Sequence, residues 1–348
     1  MTQFSRIGLD TSKAVFTLHC VDETGQPKLQ VNLRRAQLLP FFKRHAPTIV
    51  AMEACASSHH WARKLTALGH DVRLIPPQYV KPYLKRSKND RNDAEAICEA
   101  AGRPGITFVL AKPADRQAEG MVLKVRETLV GQRTQLINAL RGHAAEFGVI
   151  AAKGTGHIPL LLATIEADPE VPPIAKEMAA LLGQQIDHLE LQIKALEVKV
   201  TAMHKANVIS QLLATMPGIG PIIAMTLALE VDPAAFESGR HLAAWLGLTP
   251  KEHSTGGKQR MGGISRAGHE RLRALLVSGA TSVIRVARQP GNKLATPWLL
   301  NLLGKKPEKV AAVALANKMA RMAWAMMTRG ETYRRPSAAG AAARTVVS

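Results

Sequence analysis

The chain has 348 residues, 46% of them hydrophobic, and 46 lysines and arginines against 27 acids give a formal net charge of +19. Enough apolar residues are present to exclude a disordered chain, and the charge calls for a polyanionic partner, nucleic acid ahead of an anionic membrane. No stretch reaches the roughly 20 uninterrupted apolar residues of a spanning helix, and Cys20, Cys55 and Cys98 are too scattered for a zinc finger or a disulfide framework. The opening MTQFSRIGLD lacks the apolar core of a signal peptide, and with the scattered cysteines a reduced cytoplasmic setting is expected.

The first 110 residues read as α/β. RIGLD (6–10) is a short strand ending in an acid, AVFTLHCVD (14–22) a second, ETGQPK a turn and VNLRR a third strand. TIVAME (48–53) is another strand ending in an acid. HHWARKLTALGH (59–70) has helical spacing closed by Gly69, and DVRLIPP is a strand stopped by prolines. A helix then starts near KNDRNDAEAI (88–97) and stops at Gly102 and Pro104. Three early strands followed by alternating helix and strand is the order of a ribonuclease-H-like sheet.

Residues 114–205 read as helical. Leu182, Ile186, Leu189, Ile193, Leu196, Val200 and Met203 step by four and three, a heptad seam that predicts an antiparallel hairpin or an intermolecular coiled coil. From 206 a second unit starts, with helix, Pro-Gly-Ile-Gly turn and helix over 212–231, then a Gly- and Ser-rich loop from KEHSTGGKQR into ISRAGHERLR, and an alanine-rich helix at 310–327. The division is 1–113, 114–205 and 206–330, with 331–348 a disordered basic tail.

Four acids form the most informative constellation. Asp10 and Glu53 each end an apolar strand, and neighbouring strand ends bring such residues to one rim of an open sheet. Asp90 and Asp93 are neighbours on one helix face. Converging carboxylates repel unless a cation intervenes, and hard oxygen ligands select Mg²⁺ or Mn²⁺. Two such ions about 4 Å apart stabilise attacking and leaving oxygens at a phosphodiester. Lys85, Arg86, Lys88 and Arg91 would draw in a phosphate backbone. Taken singly, these acids read more simply: Asp90 as a helix N-cap, Asp93 as a first-turn acid favouring the helix dipole.

GLDTSK, AMEACASSHHWARKL, GHDVRLIPPQYVKPYLKRSKNDRNDAEAICEA, MPGIG, GLTP and ISRAGHERLR, in that order over about residues 5–330, resemble the DEDD transposases of bacterial insertion sequences. The likeness is to the IS-one-ten family and its IS-eleven-eleven branch. It implies an N-terminal RuvC-like domain, a helical and partly coiled-coil linker, and a C-terminal transposase domain bearing a serine. The implied acids are Asp10, Glu53, Asp90 and Asp93, and the implied serine, in KEHSTGG, is Ser254. It further implies recombination guided by a structured bridge RNA that pairs with donor and target DNA, and a homodimer to homotetramer in which one subunit's acids work with another's serine. The serine would form a covalent phosphoserine bond with DNA.

The serine has a chemical rationale, because a hydroxyl attacking phosphorus keeps the cleaved bond's energy for rejoining. On sequence alone Thr255 and Ser265 compete with it. Lys258 and Arg260 lie close enough in sequence to hold the phosphate. MPGIGPI resembles the hairpin of a helix-hairpin-helix element, where Gly218 and Gly220 let backbone N–H groups approach a phosphate; a tight helix–helix turn is the plainer reading. Arg266 and Arg271, in the basic run 257–273, are expected along a nucleic-acid backbone. Aromatics are only 4% of the chain, so contacts should be mainly to phosphates, with sequence read by base pairing. Two alternatives stand beside this reading: a hydrolytic junction-resolving nuclease with no protein–DNA adduct, and a non-catalytic nucleic-acid-binding protein.

Overall fold

The computed structural model describes residues 3–85, 89–258, 260–289, 291–292 and 294–334, which fall into two compact units divided at 118/119. The expected disordered tail lies, from residue 335 on, outside the described residues.

The first unit is built on β1 (Arg6–Thr11), β2 (Val15–Val21) and β3 (Pro27–Arg34), followed by α1 (Leu38–Lys43), β4 (Ile49–Glu53), α2 (Ser58–Thr66), β5 (Asp71–Ile75), α3 (Pro77–Val80) and α4 (Asp90–Ala101). The sheet order is β3-β2-β1-β4-β5. The β1–β2 and β2–β3 pairs are antiparallel, whereas β1–β4 and β4–β5 are parallel. The third strand starts at Pro27 rather than Val31, because the turn is confined to 22–26, where the Asp22 carboxylate accepts the N–H groups of Thr24 and Gln26.

Strand alternation gives the sheet two different faces. Ile7, Leu9, Leu18, Val50, Met52 and Leu74 face α1 and α2, burying Leu38, Phe42, Trp61 and Leu65. The opposite face carries small residues under α4: Gly8 and Ala51 are register partners, and Ala51 shares a core with Ala96, Ile97 and Ala100. That smallness lets α4 lie close on the sheet. A Cβ built on Gly8 would sit 2.1 Å from the Ala94 carbonyl oxygen and 2.6 Å from Cys98 Cβ.

The second unit begins within α5 (Ala114–Glu146) and continues through α6 (Ile158–Ala167), α7 (Pro173–Ala206), α8 (Val208–Ala214), α9 (Pro221–Glu230) and α10 (Gly239–Trp245). Then follow β6 (Pro250–Glu252), β7 (Met261–Ile264), α11 (Glu270–Ala287), α12 (Pro297–Lys305) and α13 (Glu308–Arg329). The heptad seam is satisfied inside the chain. Ile186, Leu189, Ile193 and Val200 are buried, Leu182, Leu196 and Met203 half-buried. Arg126 of α5 pairs with Glu197 of α7, and one heptad further along α5 Arg133 pairs with Glu190 at 2.8 Å, so the two long helices run antiparallel. Around them α8 to α13 bury an apolar core rich in leucine and alanine. In the α8–α9 turn Gly218 has φ +84°, and a Cβ there would lie 2.8 Å from the Gly279 carbonyl oxygen of α11, so the turn and α11 meet backbone to backbone. Among the described residues no helix is long and apolar enough to cross a membrane.

Candidate active site

The acidic site is a product of register and close packing. Leu9 of β1 pairs with Met52 of β4, so Asp10 and Glu53 come next on adjacent parallel strands, on the face that α4 covers. The close seat of α4 on Gly8 carries its first turn over that rim. The cap of α4 is Asn89, whose side chain accepts the Asn92 N–H at 2.8 Å. Capping therefore does not fall to Asp90, and Asp90 and Asp93 are available as ligands. Carboxylate oxygens of Asp10, Asp90 and Asp93 all lie within 4.8 Å of one another. Glu53 stands outside that trio, although its charge reaches Asp10.

The electrostatics follow directly. Partial burial, with the negative charges of Asp93, Asp90 and Glu53 adding to it, pushes the Asp10 carboxyl up from 3.8 to about 6. An all-oxygen, like-charged cluster of this kind suits a hard divalent cation, which would relieve the repulsion. The donor set therefore fits a hard divalent cation such as Mg²⁺ or Mn²⁺, which Asp10, Asp90 and Asp93 could hold with Glu53 beside them. Of the surrounding cations, Lys85 is engaged with Glu95 at 2.8 Å and Arg91 is exposed. Arg86 and Lys88 lie outside the described residues.

Ser254 sits in the second unit, where the segment expected as a Gly- and Ser-rich loop carries a β-hairpin. β6 and β7 pair antiparallel as a hairpin, with Pro250 opposite Ile264 and Glu252 opposite Met261. Thr255 and Lys258 exchange backbone hydrogen bonds of 3.0 and 3.3 Å across Gly256 (φ +56°) and Gly257 (φ +76°). Two successive positive φ values are what a type I′ hairpin turn requires, and glycine supplies them without strain. Ser254 is exposed, its hydroxyl donates to Glu252 Oε1 at 2.6 Å, and it accepts the Arg260 N–H at 3.3 Å. Glu252 escaped the sequence reading. Its only signal was its place two residues before Ser254, which carries meaning once the segment is known to be a strand end. Lys258 and Arg260 are exposed on the returning limb of the same hairpin.

The remaining basic and glycine candidates divide. Gly220 is the exposed N-cap of α9, whereas Gly218 is half-buried against Gly279 and its conformation is demanded by packing. Arg266 is exposed with φ +54°, the one non-glycine residue with positive φ among the described residues. Arg271 is held at 2.9 Å by Glu127 of α5, its side chain only 14% exposed, rather than projecting along a basic surface.

Comparison with known proteins agrees with this architecture. A family model described as "Transposase", of the DEDD type, matches residues 7–148, and a second, described as "Transposase IS116/IS110/IS902 family", matches 210–295. A putative transposase of Sinorhizobium fredii (y4pF/y4sB) is 53% identical over 95% of this chain and 86% of its own length. The transposase for insertion sequence element IS1328 of Yersinia enterocolitica is 38% identical over 96% of this chain and 99% of its own length. That for IS1111A of Coxiella burnetii is 38% identical over 96% and 92%. With an acidic cluster in the first matched segment, a serine hairpin in the second and relatives aligned along nearly the whole chain, the protein belongs to the IS116/IS110/IS902 family of transposases.

Proposed function

We propose that the chain is the recombinase of a bacterial insertion sequence. It cuts and exchanges DNA strands through attack of Ser254 on a phosphodiester, assisted by a divalent cation at Asp10, Glu53, Asp90 and Asp93. The observation that carries this reading is the convergence of three carboxylates from β1 and α4 within 4.8 Å. Helix capping alone does not account for it, because Asn89 serves that role. The β3-β2-β1-β4-β5 order, antiparallel then parallel, supports a ribonuclease-H-like, RuvC-type reading of the first domain.

In this mechanism the acids hold the scissile phosphate's counterion, which would supply charge neutralisation at the phosphoryl oxygens. Asp10, Asp90 and Asp93 fix its place, and Glu53 adds negative charge from the neighbouring strand. Ser254 becomes bonded to phosphorus, so the cut end stays on the protein until exchange. Lys258 and Arg260 flank the hydroxyl and draw the anionic phosphate to it. Lys85, Arg86, Lys88, Arg91, Gly220 and Arg266 are proposed to contact nucleic-acid backbone, with Gly218 shaping the turn that presents Gly220.

The division into a catalytic domain at 1–113, a coiled-coil linker at 114–205 and a serine-bearing domain at 206–330 belongs to the same proposal. So do a structured guide RNA pairing with donor and target DNA, a dimer or tetramer combining acids and serine from different subunits, and action in the cytoplasm at the nucleoid. The net charge of +19 and the 4% aromatic content support backbone contacts with base pairing as the source of sequence choice.

The deciding experiment purifies the full chain, sequences any RNA that co-purifies, and incubates the complex with a duplex carrying the joined ends of its insertion sequence. Mg²⁺-dependent cleavage with a protein–DNA adduct stable on a denaturing gel supports the proposal. Cleavage without an adduct favours the hydrolytic alternative, and no cleavage with Mg²⁺ or Mn²⁺ defeats the catalytic reading.

A further inference from the structure

We infer that Glu252 is the general base of the serine step, taking the hydroxyl proton of Ser254 within the same hairpin. This rests on the proposed role of Ser254 as nucleophile. A serine hydroxyl is a weak nucleophile unless a neighbouring base removes its proton as the bond forms. Here the proton is already aimed. Ser254 Oγ–H donates to Glu252 Oε1 at 2.6 Å, while the Arg260 N–H occupies one lone pair at 3.3 Å. A second lone pair remains for phosphorus. The donor from Arg260 fixes the hydroxyl's rotation, so that its hydrogen stays on the carboxylate.

The neighbouring hydroxyls lack this arrangement. Thr255 is committed by its backbone to the turn with Lys258. Ser265 Oγ accepts the Ala267 N–H at 3.4 Å and sits at the far end of β7 from the turn. Among the described residues Ser254 is the hydroxyl of this hairpin that donates to a carboxylate. The contact is not needed to close the hairpin, because the His253 N–H donates to the Arg260 carbonyl at 2.8 Å and Thr255 and Lys258 pair beyond it. An exposed Ser–Glu hydrogen bond adds little stability in water. Its place beside the attacking atom has a chemical use that its energy does not.

The step balances as follows. The Oγ–P bond forms while the Oγ proton passes to Glu252. The P–O bond to the departing sugar oxygen breaks, its electron pair leaves on that oxygen, and a proton from water completes the free hydroxyl. On rejoining, the incoming sugar hydroxyl loses its proton to water and attacks phosphorus, the P–Oγ bond breaks, and Glu252 returns its proton to Ser254.

The test measures the rate of adduct formation by the full-length chain, with its co-purifying RNA, on the joined-end duplex. Glu252→Gln keeps an acceptor for the hydroxyl and cannot take its proton. It is expected to slow adduct formation about 100-fold with DNA binding intact. Glu252→Ala is expected to be as slow and to recover at least about tenfold in added formate, a small carboxylate that can enter an exposed site. A Glu252→Gln rate within threefold of wild type, or a slow Glu252→Ala with no response to formate, overturns the base assignment while leaving Ser254 in place. An adduct in Ser254→Ala, or none in wild type, instead overturns the nucleophile reading on which it rests.

Discussion

Gly8 of β1 and Ala94 of α4 meet with no room for a side chain between them: a Cβ on Gly8 would come 2.1 Å from the Ala94 carbonyl oxygen. Asp10 follows Gly8 on the same face of its strand, and Asp93 precedes Ala94 on the helix. The closeness of a glycine to a helix backbone therefore sets the spacing of the acids. A packing residue with no chemistry of its own sets the geometry of a chemical site.

Gly8→Ala forces α4 away from the sheet. Overpacking of this kind costs about 1–3 kcal/mol, seen as a lower thermal midpoint. The sharper consequence is at the site: Mg²⁺ should raise the wild-type midpoint and have little effect on the variant, and metal-dependent cleavage should fall well before the fold is lost. Thermal melts with and without Mg²⁺ check both.

Asp10→Asn should stabilise the metal-free protein at neutral pH. A carboxyl raised from 3.8 to about 6 binds its proton more tightly when folded, so the wild type loses stability as pH rises between those values and carries the full penalty above about 6. The shift is equivalent to about 3 kcal/mol, and roughly half that after allowing for solvent screening of a half-exposed group. The variant's advantage should be present at pH 7, shrink from pH 6 downward and vanish near pH 4. Denaturant unfolding across that range measures it. Cleavage should be lost in the same variant.

Ser254→Ala should bind the duplex like wild type and give no covalent adduct on a denaturing gel. The residue is exposed, the exposed Arg260 N–H it releases can turn to water, and the His253–Arg260 and Thr255–Lys258 backbone bonds remain, so its stability should stay within about 0.5 kcal/mol of wild type.

Arg271 and Arg260 should behave differently. Arg260→Ala and Lys258→Ala remove exposed cations and should each flatten the salt dependence of DNA binding by about one unit of slope. Arg271→Ala removes a mostly buried arginine but leaves an exposed Glu127, and should lower stability by about 1 kcal/mol with the slope nearly unchanged. Binding isotherms at several salt concentrations separate the two.

Much of this was legible in the chain. Strand and helix periodicities are local, so β1, β2, β4, β5 and α4 emerge near their observed bounds from apolar spacing and Gly/Pro punctuation alone. The four acids could be singled out because two end apolar strands and two share a helix face. The seam on α7 was legible too, yet not its partner. Heptads specify an apolar stripe, and only the folded chain reveals that α5 helps fill it, Ile186 clustering with Ile137 and Leu140 and Val200 with Leu123, while the Arg126–Glu197 and Arg133–Glu190 pairs show the antiparallel direction.

The serine segment shows the other limit. KEHSTGGKQR reads as a loop because glycines and polar residues dominate it, while the hairpin depends on two consecutive positive φ values that composition does not announce. Arg271 looks like one more cation in a basic run until Glu127, far away in sequence, is found against it. By itself the sequence determined the local elements, the basic character and the identity of the acids, since these depend on residue type and short spacing. The tertiary structure alone decided that Gly8 brings Asp90 and Asp93 to Asp10 and that Glu252 faces Ser254. Each of those is a through-space contact, set by sheet register, helix seating or turn geometry rather than by any residue's own preference.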